Sequence, residues 1–243
     1  MKQSNWMVLK NNPILQNVYK LTLSGDTSGI VRPGQFVDIQ VPGHFLRRPF
    51  SVCDWDSETL TVVYRTIGEG TLDLAAVQPG QGLNVLTGLG NGFDTAPSGE
   101  RPLLVAGGSG VPMMLALTKQ LVREGKQVTA LLGYRTASDI FLADDIAAAG
   151  AAVTIFTEDG TAGVQGRVTD GMKDADYTYF YTCGPEAMFR AVDQAAKTSG
   201  QFSFEARMGC GYGACMGCSC QTKYGAKRIC KDGPVLVREE IVW

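Results

Sequence analysis

The chain has little histidine, no excess of either charge and no long uninterrupted apolar run. Its 243 residues include one histidine, 22 lysines and arginines and 24 aspartates and glutamates, which gives a net charge of −2. A nearly neutral chain gives no reason to expect nucleic acid or an anionic membrane as partner. The most apolar stretch, LLVAGGSGVPMMLALTK, contains glycines and a proline and stops at Lys119, so it is too irregular for a membrane span.

The presence of a single histidine, His44, also limits the kinds of catalytic site that the chain can contain. A zinc hydrolase centre or a serine triad would have to use it, and the surrounding VPGHFLRRPFS offers it no obvious partners. We therefore interpret His44 as an ordinary loop or strand residue. With so few groups for acid–base or nucleophilic work, the sequence favours a protein whose chemistry is carried by bound cofactors.

The start of the chain, MKQSNWMVLKNNP, has no apolar core of the signal-peptide kind. Seven cysteines in a chain without an export signal favour a reducing compartment, where clustered thiols usually serve metal or redox chemistry. The expected location is therefore the cytoplasm.

Residues 1–97 have the pattern of short strands separated by turns. Segments such as NWMVLKNN, ILQNVYKLTLSG and GQFVDIQVPG alternate or are rich in β-branched and aromatic residues, and Pro-Gly pairs at Pro33-Gly34 and Pro79-Gly80 mark turns. Six closely spaced strands with little helix between them predict a small antiparallel β-barrel. The polar stretch GNGFDTAPSGERP is typical of a linker to the next part.

Residues 98–202 alternate between strands and helices. LLVAGGSG is a buried strand that runs into a glycine turn, VPMMLALTKQLVREGK and DIFLADDIAAAG are helical, and QVTALLGYR, AAVTIFTEDG and YTYFYTCG are further buried strands. This alternation predicts a doubly wound parallel sheet. Residues 203–243 are rich in cysteine and glycine, with short strands. The predicted fold class is multidomain β and α/β, with domains at 1–97, 98–202 and 203–243.

The stretch CGYGACMGCSC holds four of the seven cysteines. Cys210, Cys215 and Cys218 have the C-x4-C-x2-C spacing of plant-type [2Fe–2S] sites, which need a remote fourth thiolate. The glycines between them lower the steric cost of a loop that wraps around a cluster. Cys230 follows a turn at Tyr224-Gly225 and is placed to return on a paired strand as the fourth ligand.

Two alternatives to this ligand set stay open. Cys220 lies two residues after Cys218, on the same face of an extended segment. It is either a substitute for Cys230 or, as we favour, a small side chain packed beside the cluster. Four thiolates also make a zinc site, but zinc sites commonly use paired C-x2-C motifs and the chain has one. The spacing therefore favours [2Fe–2S] over zinc.

Two motifs in the predicted barrel have the chemistry of a flavin site. In RRPFS, residues 47–51, a guanidinium can pair with a pyrophosphate oxygen and Ser51 can hydrogen-bond an isoalloxazine edge. In YRTIGEGT, residues 64–71, Gly68, Gly70 and Thr71 place backbone N–H groups at a helix start, which suits phosphate. Each motif alone is weak evidence, since RRPFS is equally typical of a strand surface. Together they are similar to the flavin site of ferredoxin reductases.

Two further motifs lie at predicted strand ends. The turn VAGGSGVPMM carries Gly107, Gly108 and Gly110 between a strand and a helix, which favours a dinucleotide site. The alternative is a tight strand–helix turn, since the strict G-x-G-x-x-G fingerprint is not met. In YTCGPEAM, Cys183 ends a strand and Gly184-Pro185 opens a helix, so these residues lie at the ligand edge of the sheet. The alternative for Cys183 is a buried structural cysteine.

Three charged residues follow the other strands of the predicted sheet. Glu158 and Asp159 are candidates for binding a ribose hydroxyl, or they belong to a solvated loop. Arg135 is a candidate for meeting a 2′-phosphate, although one arginine is poor evidence for NADP. Cys53 has no partner motif, and we interpret it as a core residue.

Seven motifs carry a family resemblance that covers the whole chain: HFLRRPFSV, VVYRTIGEGT, GLGNGF, VAGGSGVPMM, YTCGPEAM, CGYGACMGC and CKDGPV. In these motifs the chain resembles the electron-transfer subunits of NAD-dependent (class 1B) dihydroorotate dehydrogenases. CGYGACMGC and CKDGPV are the most specific of them. The resemblance implies a FAD-binding barrel, an NAD-binding domain and a C-terminal [2Fe–2S] module, in that order.

The resemblance also implies roles for individual residues. The expected FAD contacts are Arg48, Pro49, Phe50, Ser51, Val63, Tyr64 and Arg65, with Gly70 and Thr71 at the pyrophosphate. The expected cluster ligands are Cys210, Cys215, Cys218 and Cys230. The NAD candidates are Gly107, Gly108, Gly110, Cys183, Gly184 and Pro185, with the nicotinamide near Cys183.

The electron counts of the three cofactors suggest the function. NAD(H) exchanges two electrons as a hydride, a [2Fe–2S] cluster exchanges one at a time, and a flavin does both. The expected function is electron transfer between NAD(H) and the FMN of a dihydroorotate dehydrogenase catalytic subunit, in pyrimidine biosynthesis. The resemblance implies a heterotetramer with two copies of each subunit, in which dihydroorotate never touches this chain.

Two other functions are compatible with the same motifs. Similar small flavin and iron–sulfur subunits serve NADH-dependent ferredoxin:NADP oxidoreductases and sulfide dehydrogenases, with a different large partner. Outside enzymes, the chain is a candidate for a zinc-stabilised binding module on a reductase fold. Flavin and iron–sulfur absorption would separate the first class from the second.

Overall fold

A closed β-barrel forms the first part of the chain in the computed structural model, which describes residues 1–243. Its strands close in the order β1-β2-β5-β4-β3-β6, and every neighbouring pair is antiparallel. A helix lies between the last two strands in the sequence. The elements are β1 (Lys2–Leu15), β2 (Val18–Ser24), β3 (Phe36–Gln40), β4 (Arg48–Trp55), β5 (Thr59–Arg65), α1 (Glu69–Ala76) and β6 (Gly82–Leu89).

The barrel interior is filled by alternate side chains of its strands. Along β5, Leu60, Val62 and Tyr64 are buried while their neighbours are more exposed, which is the period-two pattern of a strand with one face on the core. Cys53 of β4 is fully buried and belongs to the core cluster between barrel and sheet. The antiparallel barrel expected from the sequence is therefore confirmed.

The first turn of the barrel differs from the sequence prediction. NWMVLKNN and ILQNVYKLTLSG were expected as separate strands, but β1 runs through Pro13 to Leu15 and the turn follows at Asn17. The β1–β2 register shifts between Pro13 and Leu15, so the proline, which has no N–H to donate, lies at a pairing irregularity. Asn17 adopts a φ of 61°, which asparagine tolerates well in turns.

A seven-stranded sheet forms the second part of the molecule. The remaining strands of the chain, seven in this sheet and two in a hairpin, are β7 (Pro102–Gly107), β8 (Thr129–Tyr134), β9 (Ala152–Thr157), β10 (Val164–Gln165), β11 (Tyr179–Cys183), β12 (Gly200–Ser203), β13 (Ser219–Thr222), β14 (Gly225–Arg228) and β15 (Val235–Val237). The sheet order is β10-β9-β8-β7-β11-β12-β15, and β13 and β14 form a separate hairpin. All sheet pairs are parallel except β12–β15.

The helices of the second part are α2 (Val111–Arg123), α3 (Ala143–Ala148), α4 (Val168–Asp174) and α5 (Glu186–Ala195). α3 is shorter than the helical segment expected from DIFLADDIAAAG, because Leu142 has a positive φ of 60° and a 3₁₀ turn before it ends at Asp139. α2 packs against β4 of the barrel, so barrel and sheet share an interface. None of the helices is long and apolar enough to cross a membrane.

The topology predicts where a ligand lies. β8 follows β7 on one side of it, whereas β11 pairs with its other side, so the strand order reverses between β7 and β11. In open parallel sheets, ligands bind outside the carboxyl ends of the strands at such a reversal. The glycine turn after β7 and the Cys-Gly-Pro segment after β11 both lie at this edge.

Candidate functional site

A large cavity lies between the barrel and the carboxyl edge of the sheet. Its volume is about 1400 Å³, above the range of roughly 300–1,000 Å³ that is usual for one small-molecule site. The wall is built from β4, β5, the start of α1, the turn after β7, and the segments that follow β8, β9, β11 and β12. A cavity of this size, at the reversal of strand order, suits more than one extended ligand.

The structure brings most of the expected FAD residues to this cavity. Those that line it are Arg48, Pro49, Phe50, Ser51, Val63, Tyr64, Arg65 and Thr71. Gly70 is buried directly behind them: a Cβ at this position would lie 2.7 Å from Nε of Arg48. Glycine at 70 therefore lets the guanidinium pack against the start of α1.

The start of α1 is held in place by one threonine. Thr71 Oγ1 accepts hydrogen bonds from the backbone N–H groups of Ile67 (2.9 Å) and Gly68 (3.2 Å), and donates to the carbonyl oxygen of Gly68 (2.9 Å). The first turn of a helix leaves backbone N–H groups without helical acceptors, and these bind anions. With the Arg48 guanidinium against the same turn, the arrangement fits a pyrophosphate.

His44 has partners that the sequence did not show. It lies in a loop, as expected, but its Nε2 is 2.7 Å from Oδ2 of Asp73, and Nη2 of Arg48 is 3.3 Å from its Nδ1. Because arginine can only donate, Nδ1 accepts and Nε2–H donates to Asp73. His44 thus links Arg48 to α1, and it orients the guanidinium that lines the cavity.

The expected NAD residues divide into two groups. Gly107, Gly108 and Pro185 line the cavity, whereas Gly110, Cys183 and Gly184 lie behind its surface. A Cβ at Gly110 would lie 2.2 Å from the carbonyl oxygen of Cys183, so this glycine permits the close approach of the two strand ends. The Cys183 side chain is fully buried, and that burial raises the pKa of its thiol well above the ordinary value.

Three polar residues at the same edge were missed in the sequence. Ser109, Ser203 and Glu205 line the cavity beside Cys183. Desolvation raises the pKa of the Glu205 carboxyl, and a hydrogen bond with Ser109 opposes that rise. The Oγ of Ser203 is buried beside the Cys183 thiol, and a hydrogen bond between the two side chains opposes the rise in the thiol pKa. Ser109 lies within the glycine turn after β7, whereas Ser203 ends the short strand β12 and Glu205 follows it, a strand that the sequence did not indicate.

The three charged residues that the sequence offers for binding a nucleotide have different surroundings at the far end of the cavity. Glu158 lines the cavity and its carboxylate has no partner in the chain. Asp159 is used in a turn: its Oδ1 accepts from N–H (3.0 Å) and Oγ1 (2.7 Å) of Thr161. Arg135 pairs with Asp139 at 3.7 Å. Of the two acidic residues, Glu158 is therefore the one free to meet a nucleotide.

The charge of the cavity suits anionic ligands. Its lining contains six arginines and three acidic residues, which are Arg47, Arg48, Arg65, Arg135, Arg167 and Arg207 against Asp139, Glu158 and Glu205. Arginine forks match phosphate oxygens bidentately. The volume and the arginines together fit a flavin and a nicotinamide dinucleotide.

The cysteine loop is built from tight turns. Gly211, Gly213 and Met216 have positive φ angles of 74°, 92° and 60°, so the chain turns sharply between the first three cysteines. Cys210 Sγ accepts hydrogen bonds from the N–H groups of Ala214 (3.2 Å) and Cys215 (3.5 Å). Although desolvation opposes them, these backbone donors lower the pKa of Cys210 to about 6. Such N–H···S bonds stabilise a thiolate.

The four candidate ligands form two pairs. The backbone N–H of Cys215 donates to Sγ of Cys210, and the backbone N–H of Cys230 donates to Sγ of Cys218. Burial, and then the neighbouring Cys218 thiol, raise the pKa of Cys230 to about 12. No group of three or more His, Cys, Asp or Glu side chains converges on a single-ion site. A [2Fe–2S] cluster takes two protein ligands on each iron, so the pairs fit it better than they fit one zinc ion.

Cys220 lies apart from these pairs. It is the second residue of β13, where it pairs with Lys227 of β14, and its side chain is half-buried. Burial raises the pKa of its thiol. Packing beside the cluster region, which the sequence analysis favoured, matches its contact with the hydrophobic cluster that contains Cys218 and Cys230.

Comparison with known proteins gives two matching families. A family described as "Iron-sulfur cluster binding domain of dihydroorotate dehydrogenase B" matches residues 205–242, and "Oxidoreductase NAD-binding domain" matches residues 104–194. A "Dihydroorotate dehydrogenase B (NAD(+)), electron transfer subunit" from Geobacillus sp. (strain WCH70) is 40% identical over 100% of this chain and 99% of its own length. The protein of the same description from Bacillus caldolyticus is 42% identical over 94% of each chain.

Solved structures share the fold. One, described as "Insights into flavin-based electron bifurcation via the NADH-dependent reduced ferredoxin-NADP oxidoreductase structure", has a TM-score of 0.88 and 26% identity, and covers 98% of this chain and 90% of its own. A ferredoxin NADP+ reductase from Neisseria gonorrhoeae with bound FAD and NADP has a TM-score of 0.69 and 19% identity, over 80% of this chain and 90% of its own. The barrel-plus-sheet architecture is thus that of ferredoxin reductases.

Proposed function

The chain belongs to the family of dihydroorotate dehydrogenase B electron transfer subunits, and from this membership we propose that it carries electrons between NAD(H) and the FMN of a catalytic subunit. The proposed cofactors are FAD in the large cavity and a [2Fe–2S] cluster in the cysteine loop, with NAD(H) as substrate. The proposed context is the oxidation of dihydroorotate in pyrimidine biosynthesis. Dihydroorotate itself would be bound by the partner.

One observation carries the proposal: the wall of the cavity runs directly into the cysteine loop. The lining includes Phe204, Glu205, Ala206, Arg207 and Met208, and Cys210 follows two residues later. A flavin in the cavity and a cluster in the loop would therefore be held by one continuous segment. When bound, FAD supplies hydride exchange with NAD(H) and single-electron exchange with the cluster.

For FAD, the chain supplies anchoring and orientation. Arg48 and the start of α1 hold the pyrophosphate, with His44 and Gly70 fixing the guanidinium. The backbone and side chains of Arg48, Pro49, Phe50, Ser51, Val63, Tyr64, Arg65 and Thr71 form the rest of the proposed contacts. Tyr64 packs against Phe50 and Tyr19, so this wall is also rigid and apolar.

For NAD(H), the carboxyl edge of the sheet supplies the site. Gly107, Gly108 and Pro185 form its floor, Gly110 and Gly184 let the strand ends behind that floor pack closely, and the nicotinamide would lie near Cys183. Glu205, hydrogen-bonded to Ser109, is the one acidic group at this end of the cavity. Burial raises the pKa of this carboxyl above its ordinary value.

For the cluster, we propose Cys210, Cys215, Cys218 and Cys230 as ligands. The pairing of Cys210 with Cys215 and of Cys218 with Cys230 supports two thiolates on each iron. The N–H groups directed at Cys210 and Cys218 support anionic sulfur in both halves of the loop.

The proposal extends to organisation and assembly. We propose functional units at 1–97, 98–202 and 203–243, supported by the gap between β6, which ends at Leu89, and β7, which begins at Pro102. β15 pairs with β12, so the third unit is tied to the sheet. The proposed assembly is a heterotetramer with two copies of each subunit, in the cytoplasm, where the clustered thiols stay reduced.

The experiment is reconstitution with an FMN-containing dihydroorotate dehydrogenase subunit from the same cell. The proposal predicts that dihydroorotate-dependent reduction of NAD+ requires this chain, and that the two proteins co-purify. The catalytic subunit alone should oxidise dihydroorotate with an artificial acceptor but not with NAD+. NAD+ reduction at the same rate without this chain would refute the proposal.

A second candidate function has one observation in its favour. The high TM-score with the NADH-dependent reduced ferredoxin-NADP oxidoreductase structure fits a small subunit of that kind equally well by fold. The reconstitution distinguishes the two candidate functions. This second function would be favoured by a partner that contains FMN, does not oxidise dihydroorotate and supports ferredoxin reduction. The non-enzymatic alternative, a zinc-stabilised binding module, would give a colourless protein.

A further inference from the structure

A buried acidic residue lies between the barrel and the cysteine loop. Asp38 is in the middle of β3, with only 2% of its surface exposed. The Cβ that any other residue would place at Gly211 falls 2.3 Å from Oδ2 of Asp38. The carboxylate thus packs directly against the residue that follows Cys210, and only glycine fits there.

The Asp38 carboxylate is not neutralised by a direct partner. Its Oδ1 is buried without any hydrogen-bond partner in the chain. The guanidinium of Arg47 donates to other acceptors: Nη1 donates to the backbone carbonyl oxygens of Asp38 (3.2 Å) and Asn84 (3.1 Å), and Nη2 donates to the Asn84 side chain. A buried carboxylate without a direct partner is costly, so this one calls for an explanation.

The surroundings of Asp38 connect the two proposed redox sites. Arg47, Arg48 and Cys210 are the charged groups whose fields reach its carboxyl. Both arginines line the flavin cavity, and Cys210 is a proposed cluster ligand. Burial raises the pKa of Asp38 to about 6, and the fields of Arg47 and Arg48 oppose that rise and favour the ionised carboxylate.

A negative charge beside an iron–sulfur cluster opposes the arrival of an electron. Reduction potentials of such clusters depend on net charge, on hydrogen bonds to sulfur and on solvent exposure. Asp38 is not among the residues that line the cavity, so direct contact with a flavin in the cavity does not account for it. Its place against Gly211 makes the cluster loop the structure that it acts upon.

We propose that Asp38 is a positioning residue for the cluster loop and that its carboxylate lowers the reduction potential of the cluster. This inference rests on the proposed [2Fe–2S] site. Asp38 fixes the Cys210–Gly211 segment by shape, and it adds a fixed negative charge within the protein at the side of the cluster that faces the barrel. A residue of the flavin-binding barrel thereby influences the reduction potential of the cluster.

The test is the midpoint potential of the cluster in the full-length, FAD- and cluster-loaded chain, measured by redox titration with electron paramagnetic resonance. Asp38→Asn keeps the shape and removes the charge. We expect the ratio of reduced to oxidised cluster at a fixed potential to rise about tenfold, which is a positive shift of about 59 mV for a one-electron couple. Glu58→Gln is the matched control, since it removes one charge from an exposed turn of the same barrel, and it should leave the potential unchanged.

The other outcomes are also decisive. Full iron content in Asp38→Asn with the wild-type potential would overturn the proposal. If Asp38→Asn binds little iron, the same potential is measured on Asp38→Ser. Loss of iron from both variants, with FAD retained, would overturn the electrostatic role of Asp38 and leave a purely structural one. A wild-type chain that binds no iron would instead refute the proposed function, so the two failures are distinguishable.

Discussion

The backbone N–H of Cys230 donates a hydrogen bond to Sγ of Cys218, over 3.3 Å and across 12 positions of the sequence. Both residues are almost fully buried, whereas Cys210 is partly exposed and Cys215 is exposed. The hairpin β13–β14 lies between Cys218 and Cys230 and brings the second back to the first. This contact brings a remote cysteine, which we propose as the fourth ligand, next to the C-x4-C-x2-C segment.

The first prediction concerns the fourth ligand. Cys230→Ser should lose the cluster or disturb it strongly, because it removes one member of the buried pair. The measurement is the visible absorption spectrum together with iron and acid-labile sulfide content. Cys220→Ser is the control, and its spectrum should be nearly that of the wild type. A cluster that survives Cys230→Ser and is lost in Cys220→Ser would reverse the ligand set.

The second prediction concerns the pyrophosphate anchor. Gly70→Ala should weaken FAD binding, because the new Cβ would lie 2.7 Å from Nε of Arg48 and displace the guanidinium. Loss of a charged hydrogen bond of about 1.5–3 kcal/mol corresponds to an increase of roughly 10- to 100-fold in the FAD dissociation constant. Equilibrium dialysis or flavin fluorescence measures it.

Gly68→Ala is a matched control for that prediction. Gly68 precedes the same helix, its φ of −168° is open to any residue, and a Cβ there meets nothing within 4 Å. FAD affinity should therefore stay within about twofold of the wild type, a change below 0.5 kcal/mol. Equal weakening in both variants would show that the backbone of the turn, and not Arg48, is what the substitution disturbs.

The third prediction concerns nucleotide choice. Glu158 faces the cavity without a partner, so a 2′-phosphate near it would meet an uncompensated negative charge. Glu158→Gln should raise kcat/KM for NADPH about tenfold relative to NADH, in line with one screened charge contact. Asp159→Asn should leave this ratio unchanged, because Asp159 is committed to Thr161. A changed ratio in Asp159→Asn alone would transfer the role to that residue.

The fourth prediction concerns stability and pH. The pKa of Asp38 is raised by burial from 3.8 to about 6, so the folded state binds the proton more tightly than the unfolded state does. Ionisation of Asp38 therefore lowers the free energy of unfolding of the wild type as the pH rises from about 4 to about 6. Between pH 5 and pH 7, Asp38→Asn should gain about 1 kcal/mol relative to the wild type.

Thermal unfolding at the two pH values checks that prediction. A gain of about 1 kcal/mol corresponds to about 2–4 °C in Tm for a chain of this size. Glu58→Gln is again the control, and it should show the same difference from the wild type at pH 5 and pH 7. A wild-type and Asp38→Asn difference that does not change with pH would contradict the burial of an ionised Asp38.

The fold was largely predictable because its patterns are strong. The alternation of Leu60, Val62 and Tyr64 and the run of apolar residues in β7 indicate a barrel strand and a buried parallel strand without further information. The short strands were not predictable. β12 and β15 have four and three residues, too few to show a period, and β15 joins the sheet only through tertiary pairing with β12.

The candidate site shows the same division. The spacing of Cys210, Cys215 and Cys218 indicates a cluster because cluster geometry demands it, and the flavin motifs form continuous segments. Ser203, Glu205 and Asp38 left no such signal, because their importance arises from neighbours that are remote in sequence. Asp38 lies 173 positions before Gly211 and meets it only when the cysteine loop packs on the barrel.

The most direct test of the central claim is the absorption spectrum of the purified chain, recorded anaerobically before and after addition of NADH. An electron carrier with FAD and [2Fe–2S] should show flavin bands on broad iron–sulfur absorption, and NADH should bleach both. Chemical analysis should give one FAD, two irons and two sulfides per chain. A colourless protein that contains one zinc, with no change on addition of NADH, would contradict the account.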